Sequence, residues 1–309
     1  MKFFVLGSVA LDTIFSVDRV PSIGERIPGV IRGRFAGGMA ANQAVVLGSL
    51  VEEVYLLGQV GPDSEGSIIA DELQKRRVKT TYLRKHAERA TGLTYMYVVA
   101  QNDYFSVVVR GANDELQSDD FRQCLSAATQ DDWLVAQMEI DADVVEATFR
   151  SARAVRMHTV LCASPYDARI PRILPYCDFV ICNQREGLAL FNLDLSTIRE
   201  PPAELRRALR GKTLVVTLGD RGALAISDES LLRVNGLPVR ALDSIGAGDA
   251  FTGAFVAAVA VGRDLRSALV AGNVAGAMTT TVYGAQSWPC SWEEIAKCSA
   301  QFDLIQPKS

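Results

Sequence analysis

The sequence predicts an α/β fold with a central, mostly parallel sheet between helices. Apolar runs rich in β-branched residues alternate with segments of helical periodicity from about residue 40 onward. The runs are continuously apolar, as in Phe179–Cys182, which is typical of strands buried on both faces of a sheet. The 309 residues, 49% apolar and 22% charged, can build a sizeable core. We expect one large domain over residues 1–309.

The individual elements follow in chain order. The stretch from Met1 to Asp12 contains a short apolar run and is expected to form the first strand. The strands expected after it are Val54–Val60, Trp133–Met138, Thr159–Ala163, Phe179–Cys182 and Leu214–Leu218. The expected helices are Ser64–Arg77, Asp141–Ala154, 247–262, 265–281 and 291–302.

Two segments interrupt this alternation. Residues 12–36 carry proline and glycine turn signals without a helical pattern, and residues 92–110 indicate a hairpin around Gln101–Asp103. We expect both to form a small β-sheet that serves as a lid. Its alternating side chains include Tyr95, Tyr97, Phe105, Val107 and Val109. Because a single-layer sheet leaves such a face uncovered, we expect a homodimer through the lid.

Composition excludes several classes of function. A net charge of −4 gives no general attraction for nucleic acid or anionic membranes. No window reaches the roughly 18 uninterrupted apolar residues of a membrane span. The N-terminal apolar run is too short for a signal peptide, so we expect a cytoplasmic protein.

Cysteine and histidine usage points away from metal and triad chemistry. The six cysteines show no CxxC spacing and are expected to be reduced and mostly buried. The only two histidines are His86, which stands alone, and His158, which is expected to be a core residue of a strand. A zinc site or a histidine-dependent triad is therefore not expected.

The segment DSIGAGDAF, residues 243–251, precedes an apolar run that predicts a buried helix. Glycines at the start of a helix leave its first backbone N–H groups uncovered, and the helix dipole adds partial positive charge there. Both features favour binding of an anion, phosphate above all. The alternative is that Asp249 caps the helix.

A second glycine-rich segment, FAGGMAANQAVVLG, begins at Phe35. Gly37 and Gly38 open a helix there, and Asn42 lies one turn inside it. A buried amide is costly unless it is hydrogen-bonded. Asn42 therefore either makes a functional polar contact or bonds the neighbouring backbone.

Further polar residues follow the predicted strands. Asn183 and Glu186 come directly after a strand, and their oxygens suit hydrated Mg²⁺, although an N-cap with a capping-box glutamate explains the same pattern. The segment from Thr217 through Gly219 to Gly222 follows another strand and could form one wall of a nucleotide site. Glu139 follows a third strand and could accept a substrate hydroxyl.

The order of these motifs resembles that of the PfkB (ribokinase-like) family of carbohydrate and nucleoside kinases, and most closely its ribokinase branch. The matching segments are the glycine-rich helix start near residue 38, Asn-x-x-Glu at 183, Thr-Leu-Gly-x-x-Gly at 217 and Gly-Ala-Gly-Asp at 246. The resemblance runs from Phe4 to about Trp292. It implies a ribokinase-like fold with a β lid, and an enzyme that transfers the γ-phosphate of ATP to a primary hydroxyl of ribose or a related small sugar.

The resemblance also implies roles for individual residues. Asp249 would be the general base, and the N–H groups of Ala247, Gly248 and Asp249, after Gly246, would form the anion hole. The sugar would contact Asp12, Gly38, Met39, Asn42 and Glu139. Asn183 and Glu186 would serve the Mg²⁺–phosphate region through water, and Thr217, Gly219 and Gly222 the ATP side. Asp243, Ile245 and Gly284 would form part of a monovalent-cation site.

The sequence departs from the ribokinase pattern at three positions. Met39 stands where a lysine is usual, and Ala10 stands where an asparagine is expected. Trp288 lies near the place of a small cation-binding serine, so we expect little or no potassium stimulation. A nucleoside kinase of the same family is an alternative, because the loss of a polar side chain at Met39 could accommodate a base. A non-catalytic sugar- or nucleotide-binding regulator is a third reading.

Overall fold

Residues 1–99 and 104–305 are described by the structure, a computed structural model. The strands in chain order are β1 (Phe3–Leu6), β2 (Ala10–Val17), β3 (Gly29–Gly37), β4 (Val54–Val60), β5 (Val78–Lys79), β6 (Leu83–Lys85), β7 (Gly92–Val98), β8 (Tyr104–Val109), β9 (Trp133–Gln137), β10 (His158–Cys162), β11 (Phe179–Asn183), β12 (Thr213–Thr217), β13 (Ala223–Ile226) and β14 (Leu231–Val234). The α-helices are α1 (Met39–Leu50), α2 (Ser64–Lys75), α3 (Arg122–Ser126), α4 (Ala142–Ala154), α5 (Ile170–Ile173), α6 (Gln184–Phe191), α7 (Ala203–Ala208), α8 (Ala247–Ala260), α9 (Leu265–Thr279) and α10 (Trp292–Ile305).

Most of these strands belong to one central sheet. Its order is β14-β13-β12-β11-β10-β9-β1-β4-β5, and β6 pairs with the far end of β4. All pairings from β12 to β5 are parallel, whereas β13 and β14 close one edge in antiparallel fashion. The prediction of a mostly parallel sheet is confirmed, and the predicted strands and helices are present with ends that differ by a few residues.

Helices cover both faces of the central sheet because side chains alternate along each strand. Phe3 and Val5 of β1 belong to the apolar cluster that includes residues of α1, α8 and α9. Phe4 and Leu6 belong to the opposite cluster, together with residues of α3 and α4. Burial on both faces explains the continuous apolar runs in the sequence.

A second, four-stranded sheet has the order β3-β2-β7-β8. The pair β2–β7 is parallel, and the pairs β2–β3 and β7–β8 are antiparallel. The expected hairpin turn at Gln101–Asp103 lies outside the described residues, but its two strands pair as expected. Because only Gly7, Ser8 and Val9 separate β1 from β2, this small sheet stands directly beyond the carboxyl end of β1.

Two expectations about single residue types have different outcomes. Five cysteines are buried, Cys298 is partly buried, and all six are free thiols, as expected. His158 is not a core residue: it is exposed at the start of β10 and stacks on Trp133, with ring centroids 4.5 Å apart. The first position of a strand lies at the sheet's rim, where alternation no longer ensures burial. No helix in the part of the chain that the structure describes is long and apolar enough to cross a membrane.

Candidate active site

The start of α8 is built by glycine. Gly246 is the N-cap residue with φ 72°, and no side chain bonds the cap. A Cβ on Gly246 would lie 2.2 Å from Cβ of Ala285, so a larger residue would collide there as well as being strained. A Cβ on Gly248 would meet nothing within 4 Å, because open space lies beside the first turn. The N–H of Ala247 donates to the backbone oxygen of Ser244 at 3.4 Å, and the N–H groups that follow it in the first turn are left for an anion in that space.

Two cavities meet at this helix start. The first has a volume of about 620 Å³ and the second about 340 Å³, and Ser244 and Gly248 line both. The predicted residues that line the first cavity are Asp12, Gly38, Met39, Asn42, Glu139, Ile245, Gly246, Gly248 and Asp249. Those that line the second are Thr217, Gly219, Gly222, Ala247 and Gly248. The structure thus separates the predicted sugar residues from the predicted nucleotide residues and joins the two groups at α8.

Asp249 is a buried residue that lines the first cavity. Its Oδ2 accepts from Nδ2 of Asn42 at 2.9 Å, and its Oδ1 accepts from Nε2 of Gln43 at 3.0 Å. Burial raises the pKa of Asp249 to about 7, although these two amide donors lower it. Asp249 is not the helix cap, so that alternative is wrong. A carboxylate with a pKa near neutrality can accept a proton from a hydroxyl.

Asn42 bridges two segments that are remote in sequence. Its Nδ2 donates to Asp249, and its Oδ1 accepts from Nε2 of Gln286 at 2.9 Å. The alternative that Asn42 bonds only its own backbone is therefore wrong. Its amide keeps one N–H and one oxygen lone pair for a ligand in the cavity.

Asp12 stands on β2 and also lines the first cavity. It is buried, and its Oδ1 has no hydrogen-bond partner among the described residues. Burial raises the pKa of Asp12 to about 7, a hydrogen bond with Thr94 on β7 lowers it, and the charge of Glu139 raises it further. An unpartnered buried carboxylate oxygen is costly without a ligand, and a hydroxyl group would satisfy it.

The glycines at the β3–α1 junction allow the close packing around Asp12. A Cβ on Gly37 would lie 2.0 Å from Oδ2 of Asp12. A Cβ on Gly38 would lie 2.6 Å from the backbone oxygen of Ser8, and Gly38 has φ 89°. Both close approaches explain why the pair Gly37-Gly38 stands here.

Glu139 is held at the edge of the first cavity by three neighbours. Its Oε2 accepts from the hydroxyl of Ser8 and from the backbone N–H of Met39 at 3.3 Å. The Arg110 guanidinium donates to the backbone carbonyl of Glu139, through Nε at 3.1 Å and through Nη2. Arg110 also forms an ion pair with Asp114 at 3.2 Å. Glu139 is therefore fixed with part of its carboxylate facing the cavity.

The second cavity is framed by the turn between β12 and β13. Gly219 and Gly222 both have positive φ, 64° and 94°. A Cβ on Gly222 would lie 2.1 Å from the backbone oxygen of Val234, so only glycine fits. Thr217 ends β12 and lines the cavity, whose other walls include Phe251 and Asn273.

Asn183 and Glu186 form the capping box that was the alternative to a magnesium role. Oδ1 of Asn183 accepts from the N–H of Glu186 at 2.9 Å, and Oε2 of Glu186 accepts from the N–H of Asn183 at 2.8 Å. Burial raises the pKa of Glu186. Among the described residues that line the two cavities, neither appears. Asn183 is nevertheless the register partner of Thr217, which places the box beside the second cavity.

The three residues of the expected monovalent-cation site lie together. Oδ1 of Asp243 accepts from the N–H of Ile245 at 2.9 Å, and Oδ2 accepts from the N–H of Gly284 at 3.3 Å. Burial raises the pKa of Asp243. Trp288 packs into the apolar cluster that contains α8 and α9.

Several residues at the site were not identified from sequence. They are Ser8, Gln43, Thr94, Arg110, Asn113, Ser244 and Gln286. Gln43 and Gln286 could have been recognised from sequence, because Gln43 follows Asn42 in its motif and Gln286 lies between Gly284 and Trp288. No sequence pattern indicated Asn113: its amide accepts from and donates to the backbone of Val9, a contact that only tertiary structure creates.

Comparison with known proteins agrees with the motif order. The model of a family described as "pfkB family carbohydrate kinase" matches residues 2–292. The ribokinase of Bacillus subtilis (strain 168) is 29% identical over 282 residues, which cover 91% of this chain and 94% of the relative. The deoxyribokinase of Salmonella typhimurium (strain LT2) is 27% identical over 292 residues, with 93% and 95% covered.

A solved structure agrees with the fold. The Arabidopsis thaliana ribokinase complexed with ribose and ATP superposes with a TM-score of 0.84 at 23% identity, covering 96% of this chain and 98% of that one. The ribokinase-like fold with its small β lid is thereby confirmed, as is the resemblance on which the sequence-based assignment depends.

Proposed function

Because the chain belongs to the pfkB family of carbohydrate kinases, we propose that it transfers the γ-phosphate of ATP to a primary hydroxyl of ribose or a related small sugar. The observation that carries this proposal is the meeting of two cavities at Ser244 and Gly248, beside Asp249. A sugar in the first cavity and a nucleotide in the second would face each other across the start of α8. Phosphoryl transfer depends mainly on such positioning and on electrostatic stabilisation.

The residues of α8 have distinct roles in the proposed reaction. The hydroxyl oxygen of the sugar bonds the γ-phosphorus while Asp249 takes the hydroxyl proton. The bond between the γ-phosphorus and the bridging oxygen breaks, and ADP leaves with that oxygen. The N–H groups of Ala247, Gly248 and Asp249 stabilise the negative charge on the transferring phosphoryl group. Gly246 supplies the left-handed residue at which the helix begins, and Gly248 lines both cavities.

The first cavity would hold the sugar by its hydroxyl groups. Asp12, with its unpartnered oxygen, and Asn42 and Glu139 supply acceptors and a donor around the space. A pocket built in this way rejects ligands without hydroxyls, because its own buried groups are then left unpaired. Gly38 and the backbone of Met39 form the adjoining wall.

One wall of the first cavity is apolar. Ala10, Met39 and Met96 line it and offer no side-chain hydrogen bond. A less polar part of the sugar would face this wall, which favours 2-deoxyribose beside ribose as a substrate to be tested. One of the relatives is named a deoxyribokinase.

The second cavity would hold ATP. Thr217, Gly219 and Gly222 line it, and Phe251 adds an apolar surface for the nucleotide. Asn183 and Glu186 offer hard oxygen ligands next to Thr217 and would hold Mg²⁺ through water. The ion would supply positive charge that neutralises the phosphates of the nucleotide. Asp243, Ile245 and Gly284 would frame a monovalent cation, with weak effect because Trp288 brings no oxygen ligand.

The lid and the assembly complete the proposal. The chain would act as one kinase domain over residues 1–309, with a lid formed by about 12–36 and 92–110. The exposed side chains of Val30, Ile31 and Val107 on the small sheet support a homodimer through the lid. The buried free cysteines support a reducing, cytoplasmic location.

The test is ADP release, coupled to an optical readout, across a panel of sugars and nucleosides. The panel includes ribose, 2-deoxyribose, other pentoses, hexoses, adenosine and uridine. A sugar as the best substrate supports the proposal. The matched Asp249→Asn protein, purified in the same way, reports any contaminating kinase. In addition, Met39→Lys is expected to shift preference toward ribose.

Two outcomes would replace the proposal. If a nucleoside is turned over at least about a hundredfold more efficiently than every sugar, the nucleoside kinase alternative takes its place. If ligands bind but none is phosphorylated, the chain is a non-catalytic regulator.

A further inference from the structure

Three side-chain amides surround the carboxylate of Asp249. Asn42 donates to Oδ2 and Gln43 donates to Oδ1, so each carboxylate oxygen has one amide donor. Gln286 stands behind Asn42 and donates to its Oδ1 at 2.9 Å. The three amides and the carboxylate form one continuous hydrogen-bonded network.

The two glutamines differ from Asn42 in their access to ligands. Asn42 and Asp249 line the first cavity, whereas neither glutamine is among the described residues that line either cavity. Gln43 is completely buried. The two glutamines therefore contact the proposed base or its partner, and a sugar in the first cavity would not touch them.

Gln286 determines which way the Asn42 amide faces. The Nε2 group of Gln286 can only donate, so the atom of Asn42 that receives it is the carbonyl oxygen. The NH₂ group of Asn42 must then point toward Asp249. Gln286 is itself held by a hydrogen bond to its backbone: Nη1 of Arg76 donates to the backbone carbonyl oxygen of Gln286 at 2.8 Å.

The amide donors oppose the other influences on Asp249. The titratable groups that face it are the carboxylates of Asp12 and Glu139 and the thiol of Cys162 on β10. The two carboxylates and burial all favour the protonated form of Asp249, whereas an amide donor favours the ionised form. A base must be ionised before it can accept a proton.

We propose that Gln43 and Gln286 are positioning residues for the base: Gln43 holds Oδ1 of Asp249, and Gln286 fixes the Asn42 amide that holds Oδ2. This inference rests on the proposed function. The two neighbouring residues at 42–43 would then have different roles: Asn42 lines the cavity proposed for the sugar, whereas Gln43 bonds only the proposed base. The inference also gives a task to Gln286, which adjoins the loop that holds Gly284.

The test uses Gln43→Met and Gln286→Met, because methionine keeps the length of glutamine and removes the amide. The matched control is Gln59→Met, since Gln59 is also buried and donates to a backbone carbonyl, that of Ala112, at 3.2 Å. The rate kcat and the sugar KM are measured from about pH 5 to about pH 9. Loss of one hydrogen-bond donor to the Asp249 carboxylate should raise its pKa. The acid limb of kcat is therefore expected to shift to higher pH, by about one pH unit for Gln43→Met and by less for Gln286→Met.

A positioning role also predicts what stays constant. The sugar KM above the acid limb should stay within about twofold of wild type in both variants, because neither side chain contacts the sugar. The control variant should keep the wild-type pH profile. Acid limbs that overlay the wild type in both test variants would overturn the proposal, as would an equal shift in Gln59→Met.

A second measurement needs no turnover. The free energy of unfolding is compared between each protein and the same protein carrying Asp249→Asn, as a function of pH. Because the pKa of Asp249 is raised in the folded state, the Asp249 protein loses stability relative to its Asn partner as pH rises, until pH passes that pKa of about 7.

In Gln43→Met this relative loss should continue to a higher pH. If the loss of stability levels off at the same pH in Gln43→Met as in the wild type, the inference is overturned, even if the wild type phosphorylates no sugar. If that pH shifts but no sugar is turned over, only the proposed function is contradicted.

Discussion

Asn42 and Asp249 are 207 residues apart in the chain, and Nδ2 of Asn42 donates to Oδ2 of Asp249 at 2.9 Å. The bond joins the two glycine-rich helix starts, α1 and α8, at residues that both line one cavity. It couples a residue that faces the proposed sugar to the residue that would take its proton. The arrangement makes the chemistry of the site depend on how these two helices pack.

Asp249→Asn is expected to lower kcat by a factor of about 10²–10⁴, because asparagine keeps the shape of the side chain but cannot accept the proton. The protein should stay folded by circular dichroism and bind nucleotide. Asp71→Asn, an exposed substitution on α2, is the control and should be fully active. Phosphorylation by a folded Asp249→Asn protein within about tenfold of wild type would remove Asp249 from the role of base.

The pH dependence of kcat/KM for the sugar should show an acid limb with an apparent pKa near 7. Burial raises the pKa values of both Asp249 and Asp12 to about 7 in the free protein. In the proposed reaction both groups would act as hydrogen-bond or proton acceptors, so activity should fall as pH drops through this range and level off above it. A plateau that extends unchanged to about pH 5 would show that neither carboxyl titrates near neutrality in the active protein.

The two glycines at the start of α8, Gly246 and Gly248, should respond differently to alanine. Gly248→Ala should leave stability unchanged or slightly higher, because nothing lies within 4 Å of the new methyl and alanine favours helix. It should lower kcat, because the methyl would occupy space where the two cavities meet. Gly246→Ala should instead lower the melting temperature, because φ is 72° and the methyl collides with Ala285.

The comparison uses thermal unfolding and the coupled kinase assay on both variants. Full activity in a stable Gly248→Ala protein would contradict transfer of the phosphoryl group past Gly248, from the second cavity to the first.

Substitution on the outer face of the small sheet should separate the proposed dimer. Val107 is 52% exposed and lies outside the residues that line either cavity. Val107→Asp should turn a dimer into a monomer in light scattering at micromolar concentration, because a charge would be buried at the interface. Val261→Asp, at an exposed valine beyond the end of α8, is the control. A wild-type monomer would show that the lid does not mediate association.

Cation dependence should be strong for magnesium and weak for potassium. Chelation of divalent ions should abolish turnover, and Mg²⁺ should restore it, because the ion neutralises the nucleotide phosphates. Exchange of sodium for potassium should change kcat by less than about twofold, since Trp288 is packed into the core and its side chain brings no oxygen ligand. A large potassium activation would mean that Ser287 or backbone carbonyls complete the site.

Much of this architecture could be predicted from local patterns. Continuous apolar runs indicated the parallel strands, and the helices α2, α4, α8, α9 and α10 followed from periodicity. The glycines at Gly37-Gly38 and Gly246–Gly248 marked the helix starts, because the positive φ of Gly38 and Gly246 is a local backbone property that favours glycine. Such features repeat along the chain and can be recognised without knowing what packs against them.

The partners of the polar side chains could not be predicted in this way. The sequence pattern left Asn42 with two possible kinds of partner and did not identify Gln43 or Gln286. Asn183 and Glu186 fitted both a capping box and a magnesium role. Which donor meets which acceptor depends on where α1, α8 and the loop at Gly284 come to rest on the sheet. Hydrophobic packing places those elements, and the hydrophobic effect depends on the apolar area buried and has no preferred direction. Hydrogen bonds depend on distance and angle, so the partners within the polar network are determined only once the packed elements are in place.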